Sequence, residues 1–252
     1  MTLAQADAAV RFDPRAPEQA GRKRPFVQQL FSSIAPRYDW FNRLSSCGLD
    51  QRWRREAIRR GEVQASHRVL DVCAGTGDLA ILRVRQQGHE GSTVGLDFNP
   101  EMLQLAKRKQ ERAGLRIGWC QGDAEALPFP DGSFDRVVIG FSTRNLADLT
   151  QGLRDMVRVL KPGGRLIILE TGYPSNPVIR FGYQAFLFTV VRVVGFLLTG
   201  RAWPFTYLAR SVQAFITPGE MVDRLQHLKT QVQYVPLSGG LASLYLAAKP
   251  AA

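Results

Sequence analysis

Residues 69–82 read Val-Leu-Asp-Val-Cys-Ala-Gly-Thr-Gly-Asp-Leu-Ala-Ile-Leu, and no other stretch of this 252-residue chain restricts its fold as tightly. Val69, Leu70 and Val72 have the β-branched and aliphatic character of a short buried strand. Gly75 and Gly77 supply a sharp turn whose backbone a ligand can approach, since no Cβ stands in the way. Asp78 then puts acid in the first turn of a helix continued by Leu79, Ala80, Ile81 and Leu82, where it complements the helix dipole. A strand entering a helix through such a turn is where open α/β sheets bind nucleotides.

The same letters satisfy Gly-x-Gly-x-x-Ala, so the loop alone admits a nicotinamide dinucleotide and a dehydrogenase. Asp97, closing a strand over 92–96, stands where an acid would hold a ribose in either case. Three features favour a different cofactor. Asp71 lies inside the first strand, where dinucleotide sites usually keep an apolar residue. Asp123 ends a third strand over 117–122 and precedes Ala124, placing another acid beside the pocket. Residues 234–236 and 241–247 flank Ser238-Gly239-Gly240 as a C-terminal hairpin. Acids after three successive strands, with that hairpin, resemble the S-adenosylmethionine-dependent methyltransferase fold: α/β, Rossmann-like, with a mostly parallel central sheet.

The formal net charge of +11 points to an anionic partner, whether nucleic acid, membrane surface or acidic substrate. Cys47, Cys73 and Cys120 lack paired or metal-ligand spacing and suit a reducing, cytoplasmic setting. His67, His89 and His227 lie outside every motif, so no metal site is expected. Residues 1–24 mix acids, arginines and prolines without an apolar segment; no signal peptide is visible, and they read as a mobile tail.

Along the chain, Phe26, Val27, Leu30, Phe31 and Ile34 share one helical face ended by Pro36. A short aromatic stretch (37–42) follows, then a helix around Leu49, Trp53, Ala57 and Ile58. Residues 25–61 therefore form an N-terminal helical cap, and 62–170 the cofactor-binding core, with a fourth strand over 134–141. A helix stripe through Leu153, Met156, Val157 and Leu160 is stopped by Lys161-Pro162-Gly163-Gly164 before a strand over 165–170. Residues 171–217 break the alternation. Thr171 to Gly219 contains no Asp or Glu but carries Arg180, Arg192, Arg201 and Arg210. Its apolar middle, 181–198, has a central Arg192, and such a charge costs roughly 2.5 kcal/mol or more at a bilayer centre. A basic-flanked helix lying on an anionic membrane surface, or roofing a greasy pocket, fits better than a transmembrane span; ordinary packing on the core is the plainer alternative. Residues 218–252 complete the core with a last helix and the hairpin.

Taken together, these residues resemble the ubiquinone and menaquinone biosynthesis C-methyltransferases, from about Phe26 to Pro250. The resemblance rests on Phe31-Ser32-Ser33-Ile34-Ala35-Pro36-Arg37-Tyr38-Asp39 with Asn42, on Gly75-Thr76-Gly77-Asp78-Leu79, and on Asp123-Ala124-Glu125-Ala126-Leu127-Pro128-Phe129. Arg144-Asn145, residues 158–164 and Glu170 complete it. It implies S-adenosylmethionine as cofactor and methylation of a ring carbon of a polyprenylated quinol. By position, cofactor contacts fall on Thr76, Asp97 and Asp123-Ala124, and the expected cofactor set is Asp71, Gly75, Thr76, Gly77, Asp97, Phe98, Asp123, Ala124 and Gly140. Amides of the glycine turn and the Thr76 hydroxyl would bond the methionine carboxylate, Asp97 the ribose, and Asp123 the adenine amino group. Arg144 stays protonated and so would stabilise a forming phenolate rather than act as base, a bond worth about 1.5–3 kcal/mol. Asp39 is the candidate proton acceptor, with Tyr38 and Asn145 orienting the ring. The family often carries serine where this chain has Gly140, and an acid where it has Arg210.

Two rival classes remain. A nucleic-acid methyltransferase would use the positive charge on phosphates, but the fourth strand is not followed by the Asn/Asp-Pro-Pro-aromatic motif, and no nucleic acid is expected. A binding-only module would keep the pocket and lose catalysis. Within the preferred class, another small lipophilic phenol or polyketide-like ring is the alternative acceptor. A homodimer is allowed by everything above.

Overall fold

The computed structural model describes residues 20–172 and 174–251; the tail expected over 1–24 lies largely outside them. Helix α1 (Ala20–Ile34) includes residues 20–24, which the composition assigned to the tail. A 3-10 turn at Ala35–Arg37 leads into α2 (Tyr38–Ser45) and then α3 (Leu49–Arg60). The aromatic stretch is thus itself helical, burying Phe41.

The core then alternates: β1 (Val69–Val72), α4 (Asp78–Gln87), β2 (Thr93–Asp97), α5 (Pro100–Arg112), β3 (Gly118–Gln121), β4 (Phe134–Gly140), α6 (Leu149–Arg158) and β5 (Leu160–Thr171). Asn99 caps α5, its side chain accepting from the Met102 amide with Pro100 in the first turn. The sheet order is β3-β2-β1-β4-β5-β7-β6. Its first five strands are parallel, and β7 (Ala242–Ala248) lies antiparallel between β5 and β6 (Gln231–Leu237). All four β1 residues are buried, as a central strand covered on both faces requires. The chain winds outward in both directions from β1 and β4, so the carboxyl ends of these two strands form the switch-point crevice where ligands bind.

Two elements differ from their sequence expectation. Lys161-Pro162-Gly163-Gly164 does not precede the fifth strand but interrupts it. Leu160 pairs with Phe134, the register then shifts, and Arg165 pairs with Arg136; Gly163 takes a φ of +74° there. The apolar run before the last helix is two helices, α7 (Pro177–Phe188) and α8 (Val190–Thr199), parted at Thr189 with ψ −77°. Helices α9 (Trp203–Ala214) and α10 (Pro218–His227) follow, the latter opened by a Thr217–Glu220 capping box.

The cap and the acid-free segment share one core. Val27, Leu30, Ile34 and Phe41 pack with Leu187, Val191, Phe205 and Tyr207. The Phe41 and Phe205 rings lie 4.4 Å apart, and Arg201 ties the segment to α1 through the Ser33 carbonyl at 2.7 Å. Burying a ring such as Phe205, 1% exposed, contributes about 1.5–3 kcal/mol. The two additions therefore roof the crevice as a unit.

Candidate active site

At the end of β1 the chain turns with Cys73, Gly75 and Gly77 at φ +53°, +56° and +82°. The two glycines serve different ends. A Cβ on Gly77 would sit 2.6 Å from the Trp119 ring, so helix α4 could not pack there; a Cβ on Gly75 would meet nothing within 4 Å. The open side of Gly75 faces a cavity also lined by Thr76, Asp97, Phe98, Asp123, Ala124 and Gly140. These are seven of the nine expected cofactor residues. Gly77 and Asp71 do not line it. Asp71 lies beneath, 1% exposed, accepting the Ala80 amide at 3.0 Å and thereby fixing the start of α4.

Three donors of the turn are engaged within the protein. The Gly75 amide donates to Asp97 Oδ2 at 2.7 Å, the Gly77 amide donates to the Ala74 carbonyl at 2.8 Å, and the Thr76 hydroxyl donates to Asp39 Oδ1 at 2.5 Å. Asp97 Oδ1 accepts from Asn99 at 2.9 Å. Burial, only partly offset by these amides, pushes Asp97 up to about 6, and burial pushes Asp71 up to about 7. Folded carboxyls above their ordinary value favour the native state when protonated. That contribution is complete below pH about 4 and is lost as pH rises through about 6 to 7.

Asp39 is held at the rim. Lys109 bonds it at 2.7 Å and also reaches Asp78 on α4. Asp39 lines neither this cavity nor the one beyond it, so its geometry does not favour the proton-acceptor role expected of it. Its ion pair instead pins α2 against α5 and the turn. At the opposite end, Arg24 of α1 reaches Asp123 at 2.8 Å and Glu125 at 3.1 Å.

A second cavity of about 430 Å³ lies beneath the roof, walled by Phe31, Phe41, Trp53, Phe141, Phe186 and Phe205 among others. Phe31, Tyr38, Arg54 and Asn145 line both cavities, so the two meet there. Of the candidate catalytic residues, Tyr38 and Asn145 lie at this opening and Arg144 lines the apolar side. Burial pushes the Tyr38 hydroxyl up, keeping it a neutral donor. Arg144 is anchored from below: its Nη1 donates to Glu170 and to the Phe141 carbonyl, both at 2.6 Å. Phe141 has a φ of +57°, and Glu170, 1% exposed, also accepts from the Thr143 hydroxyl at 2.6 Å.

Three buried donors near this junction have no hydrogen-bond partner among the described residues: Arg54 Nε, Arg144 Nε and Asn145 Nδ2. A buried unpaired donor costs roughly 1–3 kcal/mol, and three around one opening fit a polar ligand at that spot. At Gly140, where the family often carries serine, a Cβ would lie 2.7 Å from the tip of Leu79, which would have to shift, and 3.5 Å from Arg54 Nη1. Arg54, Asp50, Lys109 and Arg24 were not identified from the sequence. The only available signal was the Asp50/Arg54 spacing of four on one helix face.

The sequence model of the ubiE/COQ5 methyltransferase family matches residues 18–249. The chain is 42% identical over 223 residues to a demethylmenaquinone methyltransferase of Thermus thermophilus, covering 88% of this chain and 100% of that one. It is 40% identical over 230 residues to a ubiquinone/menaquinone biosynthesis C-methyltransferase of Geobacter sp. strain M21, covering 88% and 96%. Among solved structures, a SAM-dependent methyltransferase from Aquifex aeolicus superimposes with a TM-score of 0.59 at 17% identity, over 77% of this chain and 88% of that one. That likeness establishes the fold.

Proposed function

This chain belongs to the ubiE/COQ5 methyltransferase family and is an S-adenosylmethionine-dependent methyltransferase, and from that premise we propose that its acceptor is a ring carbon of a polyprenylated quinol. The acceptor is a demethylmenaquinol or a benzoquinol precursor of ubiquinone. The observation that carries the reading is the meeting of a polar, glycine-floored cavity with an aromatic one at Tyr38, Arg54 and Asn145.

S-adenosylmethionine, when bound, supplies an electrophilic methyl on a sulfonium. The residues that fit it are Gly75, Thr76, Asp97, Phe98, Asp123 and Ala124, with Asp97 able to accept from vicinal hydroxyls through the lone pairs its two amide contacts leave over. On the acceptor side, Arg144 presents a guanidinium fixed by Glu170, ready to stabilise a phenolate oxygen. Asn145 accepts from the Tyr207 hydroxyl at 3.3 Å, which orients its amide. The aromatic walls exclude water and accept the ring and the start of its tail. Residues of one chain line both cavities.

The roof suggests how such a substrate arrives. Val178 (77%), Phe181 (74%), Val193 (58%) and Leu197 (76%) of α7 and α8 are exposed, whereas Ile179, Tyr183, Phe186, Leu187 and Val191 of the same helices line the apolar cavity. Residues 177–199 have the length and hydropathy of a membrane span, but the break at Thr189 and the use of one face as cavity wall suit helices lying in an interface. No acid interrupts the segment, and Arg180 and Arg192 complement anionic headgroups. We therefore place the enzyme peripherally on the cytoplasmic membrane face, drawing its quinol from the bilayer. Phe181→Glu with Leu197→Glu should lower co-sedimentation with phosphatidylglycerol vesicles by roughly tenfold or more, leaving turnover of a short-tailed quinol in detergent unchanged. Undiminished vesicle binding would remove the membrane part of the reading. Transfer of labelled methyl to demethylmenaquinol and to the benzoquinol, each with and without a prenyl tail, tests the acceptor. Equal rates with and without the tail, or turnover only of unrelated phenols, would refute it.

A further inference from the structure

We propose that Asp50 accepts the proton of the acceptor's hydroxyl, a step that rests on the quinol reading above. Among the described residues, Asp50 is the one carboxylate that lines the apolar cavity. Glu170 is not among the lining residues, and both its oxygens are taken by Thr143, Arg144 and Thr171. Asp39 is spent on Lys109 and Thr76. Arg144 and Arg54 offer guanidinium donors and no acceptor, and burial holds the tyrosines Tyr38, Tyr183 and Tyr207 of the cavity wall above their ordinary value, where they are donors.

The local geometry holds Asp50 in place. It lies in the first turn of α3 and is 4% exposed. The Ser46 hydroxyl donates to its Oδ1 at 3.1 Å and the Gln51 amide to its Oδ2 at 2.9 Å. Each carboxylate oxygen carries two lone pairs, so one on each is left for a substrate. Arg54, one turn on, approaches Oδ2 at 3.7 Å and also lines the cofactor cavity, which puts Asp50 within a helical turn of the junction. The other charges facing this cluster are Asp78 of α4, 4.0 Å from Arg54 and itself paired with Lys109, Arg43 of α2, which acts on Asp78, and Arg144 across the cavity.

The quinol O–H bond breaks, its proton passes to an Asp50 oxygen, and the electron pair stays on the quinol oxygen, conjugated into the ring. Arg144 stabilises that oxygen's charge. The electron-rich ring carbon forms the new carbon–carbon bond to the donated methyl, whose former bonding pair leaves with the donor's sulfur as a neutral thioether. The ring carbon then loses its own hydrogen as a proton, restoring aromaticity, and one proton in total reaches solvent per turnover.

The test compares kcat against pH for the wild type, Asp50→Asn and Asp50→Glu, with S-adenosylmethionine affinity and melting temperature measured for each. Asp50→Asn should lose roughly 10²–10⁴-fold in kcat near neutrality while binding the cofactor as before. Its residual rate should climb about tenfold per pH unit towards pH ~10, where a phenolic hydroxyl ionises unaided; the wild type should not show that climb. Asp50→Glu should restore part of the rate and the wild-type profile. If Asp50→Asn does not fold, Asp50→Asn with Arg54→Met leaves no unpaired buried charge and should show the same climbing profile. A variant rate within about threefold of wild type, or a loss equal at every pH, would overturn the proposal. A wild type inactive on every quinol would instead overturn the acceptor reading, and this step with it.

Discussion

Replacing Arg144 with methionine should lower the melting temperature by roughly 10 °C, as well as abolishing turnover. Glu170 is 1% exposed and the Arg144 side chain 8%, their closest atoms 2.6 Å apart. Removing one partner of such a buried pair costs about 3–5 kcal/mol, because the other charge is left without compensation. In a protein of this size each kcal/mol shifts melting by about 2–4 °C. Arg144→Met with Glu170→Met, removing both charges, should regain much of the stability but none of the activity. Arg144→Lys keeps the charge and loses the planar fork that joins Glu170 to the Phe141 carbonyl. It should melt nearer the wild type yet turn over slowly, with cofactor affinity little changed. Differential scanning calorimetry of the three variants, with cofactor titrations, separates these contributions. If the double variant is no more stable than Arg144→Met, charge burial is not what fixes this corner of the site.

Affinity for S-adenosylmethionine should weaken steeply in acid, with Asp97 the cause. Burial places its carboxyl at about 6. The proposed ribose hydroxyls donate to it, and a carboxylate accepts such bonds more strongly than its protonated form. Binding should therefore be nearly constant above pH ~7 and fall towards a limit of tenfold per pH unit below about 6. Asp97→Asn should bind roughly 10–100-fold more weakly above neutrality, in line with about 1–3 kcal/mol for a lost charged acceptor. It should also lack the acid limb. Isothermal titration across this range decides. Affinity that rises on acidification, or an Asp97→Asn variant retaining the limb, would assign the dependence to another group.

These two residues also show how far the sequence carries. Asp97 was legible because a strand end after a glycine turn is a local signal: apolar residues, then glycine, then acid at a set distance. The parallel core and the closing hairpin followed from the same kind of short-range pattern. Arg144 was legible only through the family resemblance, and its anchor to Glu170, 26 residues away and on the next strand, has no local signature. Asp50 escaped notice because an acid in the first turn of a helix is ordinarily a dipole partner. Only the packing of α3 onto the sheet, through Ala57 and Ile58, turns it towards a cavity. Asp39, which the motif singled out, is drawn to Lys109 from an element 70 residues on, an attraction visible only once α2 and α5 are side by side. The break at Thr189 has a similar origin. The 181–198 pattern reads as one helix, but one half must wall the cavity with Tyr183, Phe186 and Leu187, while Gly195 in the other must let the Phe205 ring press close. Tertiary packing overrides the continuous periodicity there.

Methyl transfer depends on one junction, where Tyr38, Arg54 and Asn145 open a cofactor cavity onto an aromatic one. Mass spectrometry of the product formed from labelled S-adenosylmethionine and a prenylated demethylmenaquinol or benzoquinol tests it most directly. The label should sit on a ring carbon of a prenylated quinol. Label on a hydroxyl oxygen, or no transfer to either quinol by an enzyme that still binds the cofactor, would contradict it.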